Sequence, residues 1–198
     1  MCIVPQLRNL ALSLCLAVAI PALAQTGFSA PASIQRERIS LTVNADGTYR
    51  ESAEQSVRIR TPKGVEEYGS QEISYISSQE EILAIEAWTE TPGGTRIPVL
   101  PTAIQDRSED NSGGVSEFSD TRVKVIVFPR VMVGSVVSYQ AKSRIHTLPY
   151  PGEFTRTFVF SRGVPYEDWE LRIVMPSTRP LYIDKRGVDG GLEKSLDG

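Results

Sequence analysis

The sequence predicts an all-β, antiparallel sandwich-like domain of about ten strands with at most one short helix. Three observations carry that expectation. From Ile34 onward apolar residues recur at every second position, the spacing of half-buried strands. Turn-forming clusters, Asn44-Ala45-Asp46-Gly47 and Pro92-Gly93-Gly94, separate consecutive runs. Both cysteines, Cys2 and Cys15, fall within the first 24 residues, so a core must supply stability where a disulfide scaffold cannot.

Those 24 residues read as a signal peptide. Arg8 gives the positive n-region, Leu10 to Ile20 the apolar h-region, and Ala22-Leu23-Ala24 an A-x-A cleavage site before Gln25. The apolar run is too short to span a bilayer, and Cys15 follows Leu14 in mid-run, where a lipidated cysteine needs a small residue before it. The expected location is therefore periplasmic or secreted, with no membrane-spanning segment once the leader is cleaved.

Residues 25–33 read as a flexible lead-in and 34–186 as the β-sandwich-like module. Ile39, Leu41 and Val43 alternate with Arg38, Ser40 and Thr42, and Tyr49, Ala53, Val57 and Ile59 continue the pattern. The inward residues are odd-numbered on both strands, so paired positions must sum to an even number. A three-residue loop, Ala45-Asp46-Gly47, satisfies this and sets Val43 opposite Tyr49, Ile39 opposite Ala53 and Arg38 opposite Glu54, with Gly47 at positive φ. A two-residue Asp-Gly loop would turn one strand's apolar set to water. Pro92-Gly93-Gly94 places Glu90 opposite Arg96 in the same way. A helix is expected only around Lys63–Tyr68.

Further strands are expected near 71–77, 82–90, 95–99, 121–128, 137–145, 154–162, 169–175 and 180–185. Even-numbered Phe154, Phe158 and Phe160 suggest a hairpin with the strand from Val137, bringing Ile145 to Phe154, Ala141 to Phe158 and Tyr139 to Phe160 in the main core. Residues 106–120 and 146–153 read as loops, and 187–198 as a linker or truncated C-terminal tail of a longer chain.

Arg8 is the leader's one charged side chain, so of 21 basic and 24 acidic residues the remainder keeps 20 and 24. That acidic balance argues against nucleic acid, whose phosphates select basic patches. A single histidine, His146, and the absence of cysteine after residue 24 leave no nucleophile–base pair in view. No G-x-S-x-G, phosphate loop or dinucleotide fingerprint is present. No catalytic residue, cofactor or metal is expected.

Several segments, in order, resemble a known family. Gly64 to Gly69 (GVEEYG), Thr91 to Val99 (TPGGTRIPV), Ala103 to Asp106, Phe118-Ser119-Asp120, Val125 to Pro129 (VIVFP) and Val133 to Tyr139 (VGSVVSY) are similar to segments of domain-of-unknown-function family 3857. Gly93 stands where that family usually has Asp or Asn. The family is an exported bacterial module that typically precedes a transglutaminase-like domain. The resemblance, spanning about Arg36 to Arg186, implies a non-catalytic accessory module whose partner, in cis or in trans, carries the Cys-His-Asp chemistry absent from this chain. It transfers no functional residues. The alternative is a stand-alone module binding a cell-wall glycan, peptidoglycan or peptide.

Individual candidates have simpler readings beside the functional ones. His146 ends a strand with no second histidine. Asp106, Glu109, Asp110 and Asp120 could gather around Ca²⁺, but the spacing fails the calcium-loop pattern, which favours a solvated acidic loop. Trp88, Trp169 and Tyr75 fall with apolar neighbours and read as core. Tyr150 and Tyr166, in turns beside prolines, are the residues expected to face a ligand. Arg36, Arg38, Arg58 and Arg60 read as the solvated, partly ion-paired face of two neighbouring strands.

Overall fold

A computed structural model describes residues 29–108 and 120–193. Its strands are β1 (Ala32–Val43), β2 (Tyr49–Ile59), β3 (Ser70–Ile76), β4 (Glu80–Glu90), β5 (Arg96–Pro98), β6 (Ile104–Ser108), β7 (Thr121–Val127), β8 (Val136–Ile145) and β9 (Trp169–Val174). A six-stranded sheet has the order β5-β4-β8-β2-β1-β9, and a three-stranded sheet the order β3-β7-β6. The all-β, sandwich-like expectation holds. One pairing departs from it: β9 runs parallel to β1. The leader, residues 25–28 of the lead-in, and Glu109 and Asp110 lie outside the described residues.

The first hairpin follows the register demanded by its alternation. Val43 faces Tyr49, Ile39 faces Ala53 and Arg38 faces Glu54. Asn44 N–H donates to the Thr48 carbonyl at 2.8 Å, and Gly47 has φ +89°. The positive φ is what favours glycine here; a Cβ at Gly47 would also lie 2.9 Å from Leu148 Cδ1, which that side chain would have to shift to admit. The Asp46 carboxylate accepts from the Thr48 hydroxyl and N–H, which hold it below its ordinary pKa. The second expected pairing, Glu90 with Arg96, is also present.

Helix α1 (Pro62–Tyr68) begins where Thr61 Oγ1 accepts from Gly64 N–H at 3.2 Å, with a proline in its first turn. Pro31 O would lie 2.2 Å from a Cβ on Gly64, so only glycine lets the helix approach the start of β1 this closely. Strand β1 opens at Ala32, and Ala32 and Ser33 are fully buried.

Residues directly opposite one another share a face, so the register defines rows across the six-stranded sheet. On the inner face Trp169, Glu37, Gln55, Tyr139 and Ala87 form one row, and Leu171, Ile39, Ala53, Ala141 and Ile85 the next. Two apolar clusters flank these rows. One joins Ala32, Ile34, Val57, Ile59 and Val137 to Ile126 and Phe128 of the second sheet's side. The other joins Leu41, Val43, Tyr49 and Ile145 to Leu148, Phe154 and Phe158.

Residues 154–162 form no strand. They cross the inner face as a strap: Phe154 meets Tyr49 edge-on at 5.3 Å, Arg156 reaches Glu51 at 2.6 Å, and Phe160 meets Trp169 at 4.7 Å. The even-numbered side chains do point inward, as their alternation indicates. Both edges of β8 are occupied by β2 and β4, so the expected hairpin has no free edge to use. Residues 180–185 likewise form no strand, and β6 occupies Ile104–Ser108 where a loop was expected from Asp106.

Candidate binding cleft

The expected ligand-facing tyrosines lie apart. Tyr166 bridges to Ile34 near the start of β1. Tyr150 is exposed in the loop whose Gly152 lies against Gly47, beyond the other end of that strand. Nine residue steps from Ile34 to Val43 correspond to about 30 Å of extended chain. No shared platform connects them.

Tyr166 instead joins two aromatic residues close to it in sequence. Phe160, from the end of the strap, packs edge-on against Tyr166 (5.4 Å, 85°) and against Trp169 (4.7 Å, 72°). Ser161 N–H donates to the Tyr166 hydroxyl at 3.4 Å. These rings line an open cleft of about 360 Å³, completed by Gly187, Val188 and Asp189. All three rings are half-buried. Trp169 shares the inner face with Leu171 and Ile173, as its register implied, but sits on the edge strand where neither the second sheet nor another strand covers it fully. Phe160, Tyr166 and Trp169 are close in sequence, yet alternation assigns Phe160 only to an inward face and does not show that its ring closes a cleft. The only available signal was its proximity to Tyr166.

The surrounding charges are unevenly neutralised. Glu167 accepts from the Ser33 hydroxyl at 2.9 Å and pairs with Arg60 at 3.3 Å. Asp168 pairs with Arg38 at 3.1 Å and Arg36 at 3.7 Å. Asp189 has no hydrogen-bond or ion-pair partner among the described residues. Glu37, opposite Trp169, accepts from Gln55 at 3.3 Å, and burial raises its pKa against that hydrogen bond. Burial also pushes the Tyr139 hydroxyl, two strands further along the row, up to about 12.

The remaining candidates resolve into structural roles. Arg36 also pairs with Glu54, and Arg38 with Glu170. Arg58 Nε and Nη2 both lie 3.0 Å from the Gln35 side-chain oxygen when that amide is oriented to accept. The arginines thus form a partly ion-paired outer face, although Arg38 turns to β9 and leaves Glu54, its opposite number, to Arg36. Asp106 accepts from Lys124 at 2.8 Å, Arg122 at 3.1 Å and Tyr75 at 3.1 Å, which engages both its oxygens. Burial raises its pKa, but these hydrogen bonds outweigh that and hold it below 3.8. Tyr75 is consequently a buried hydrogen-bonding residue of the second sheet, and Asp120 meets Ser77 through its backbone carbonyl.

Trp88 corrects the core assignment. A register shift between Ile82 and Ala84 inverts the parity of β4, placing Trp88 on the outer face with Arg96 stacked 3.6 Å from its ring centre. His146 is exposed, its Nδ1 3.0 Å from Thr147 Oγ1.

The fold defines a two-sheet β-module with an aromatic cleft beside its edge strand. The chain belongs to the family described as a Domain of Unknown Function with solved structure, DUF3857, which matches residues 45–196. No curated protein matches the sequence. Among solved structures, a protein from Parabacteroides distasonis ATCC 8503 described as a "putative protease" is similar in fold: TM-score 0.55, 16% identity, covering 61% of this chain and 24% of that one. An M1 zinc metallopeptidase from Deinococcus radiodurans aligns at TM-score 0.38 and 13% identity over 76% of this chain and 34% of that one, a similarity that carries no argument. The chain therefore spans roughly a quarter to a third of the length of these two structures.

Proposed function

We propose that this chain is an exported, non-catalytic accessory module that docks a transglutaminase-like domain, in cis or in trans, along the outer edge of β9. The carrying observation is that β9 ends the six-stranded sheet with no strand beyond it among the described residues. An unpaired edge presents a row of backbone donors and acceptors, and such rows are either protected or used for pairing. The adjoining residues 176–193 form no helix or strand and expose Tyr182, Ile183 and Leu192. Exposed apolar side chains in the segment that follows an open edge strand suit a second folded domain.

Two further observations support this reading. The fold shared with the Parabacteroides protein makes up 24% of a longer chain there. The Arg8–Ala24 leader pattern supports an extracytoplasmic location, and no described helix is long and apolar enough to cross a membrane. A ligand platform joining Tyr150 and Tyr166 is not supported, because the two lie near opposite ends of β1.

Titration calorimetry with a purified transglutaminase-like domain from a longer family member tests the proposal. Binding is expected, and Tyr182→Asp with Ile183→Asp should weaken it at least about 10-fold, the equivalent of 1.4 kcal/mol. Binding unaffected by that pair of substitutions overturns the docking surface. Acyl transfer by the chain alone, surviving His146→Ala, overturns the non-catalytic reading.

A further inference from the structure

The aromatic cleft has a chemical character separate from the β9 edge. Its three rings meet close to perpendicular, at 85° and 72°, and so form walls. Sugar recognition would need a flat exposed ring flanked by amides and hydroxyls that both donate and accept. Asp189 lines this cleft, and a carboxylate accepts hydrogen bonds without donating any.

We propose that the Phe160–Tyr166–Trp169 cleft binds an organic ammonium group, with its charge against the ring faces and opposed by Asp189. Aromatic faces carry negative potential, and several rings around one cation are the arrangement that recognises alkylammonium ions. At about 360 Å³ the cleft admits a small aliphatic ammonium ion.

The charge pattern selects a cation for a specific reason. Glu167 and Asp168 are already paired with Arg60, Arg38 and Arg36, while Asp189 has no partner among the described residues. Lys185, four residues before Asp189, donates to the Gly190 carbonyl. The cleft thus sets the Asp189 carboxyl beside aromatic rings, and an incoming cation engages both.

Fluorescence titration of the full chain carrying Trp88→Phe leaves Trp169 as the reporter. The probes are tetramethylammonium, butylammonium and neutral 1-butanol at constant ionic strength. A saturable change in Trp169 emission is expected with at least one cation. A response to tetramethylammonium alone indicates a quaternary source, and one to butylammonium alone a primary amine. The alcohol should bind at least about 10-fold more weakly, and Asp189→Asn should weaken the cation about 5-fold. Asp189 is exposed and outside every strand, so its substitution leaves the fold intact. Chemical-shift titration of the unsubstituted chain, read at the Tyr166 and Asp189 amides, gives the same answer should Trp88→Phe disturb folding. Absence of saturation with both cations, equal binding of the alcohol, or an unchanged Asp189→Asn variant overturns the proposal.

Discussion

The inner face of the six-stranded sheet is covered by a second sheet over one half and by an irregular strap over the other. Over Ile34, Val57 and Ile59 lies the β3-β7-β6 sheet, whose backbone groups pair within their own ladders. Over Leu41, Val43 and Tyr49 lie residues 148–160, anchored by Leu148, Phe154 and Phe158 without a ladder. The two covers differ in burial: Ile126 is 0% exposed, whereas Phe154 and Phe158 remain half-buried. A sheet seals its face with backbone pairing and side chains together. A strap relies on side chains alone, so it can open locally without unfolding the rest.

Their charged groups follow the same division. Asp106 in the second sheet draws three donors and is held ionised. Glu51 beneath the strap loses water on folding and has Arg156 as its close cation; burial dominates, raising its pKa against the attraction of Arg156 and with a smaller contribution from Glu80.

The largest effect should come from the sealed half. Ile126→Ala removes a fully buried side chain and should cost about 2–5 kcal/mol in urea unfolding. A loss under about 1 kcal/mol would mean that the second sheet does not share in the main core.

The strap should yield less. A buried Phe→Ala costs about 3–5 kcal/mol, so half-buried Phe158 should lose about 2 kcal/mol. Amide exchange should accelerate within 148–160 and remain slow in β7. An equal cost at Ile126 and Phe158, with exchange rising in both covers, would erase the distinction.

The smallest effect separates the two by pH. A raised folded pKa at Glu51 means that the folded state binds its proton more readily than the unfolded chain does, whose value is near 4.5. That contribution to stability is fully present below the unfolded value and is lost as pH rises through the folded one. Asp106 has the opposite sign: its contribution is present above 3.8 and lost as pH falls through its lower folded value. Glu51→Gln should therefore flatten the decline of stability just above pH 4.5, changing it by less than about 1 kcal/mol, and leave the acid limb near Asp106 unaltered. Urea midpoints measured from pH 3 to 7 check this, and an unchanged slope above pH 4.5 would remove Glu51 from the account.

Local sequence determined the hairpins. Gly47, with inward residues odd-numbered on both sides, admits a single register, because a slip of one residue turns a whole apolar set to water. The order of family segments likewise identified the chain, and the inward direction of Phe154, Phe158 and Phe160 was legible from alternation. Alternation specifies a face, however, and does not specify what that face meets. Only the tertiary structure decided that β8 would have β2 and β4 at its edges, sending the phenylalanines across the sheet as a strap. The bulge at Ile82–Ala84 that turns Trp88 outward was hidden for a related reason, since one inserted residue reverses parity without changing composition. The cleft was least legible: Phe160 and Trp169 are close in sequence, but their rings meet on the sheet's edge strand, whose place is set by β9 lying parallel with β1, a pairing across about 130 residues that no local pattern encodes.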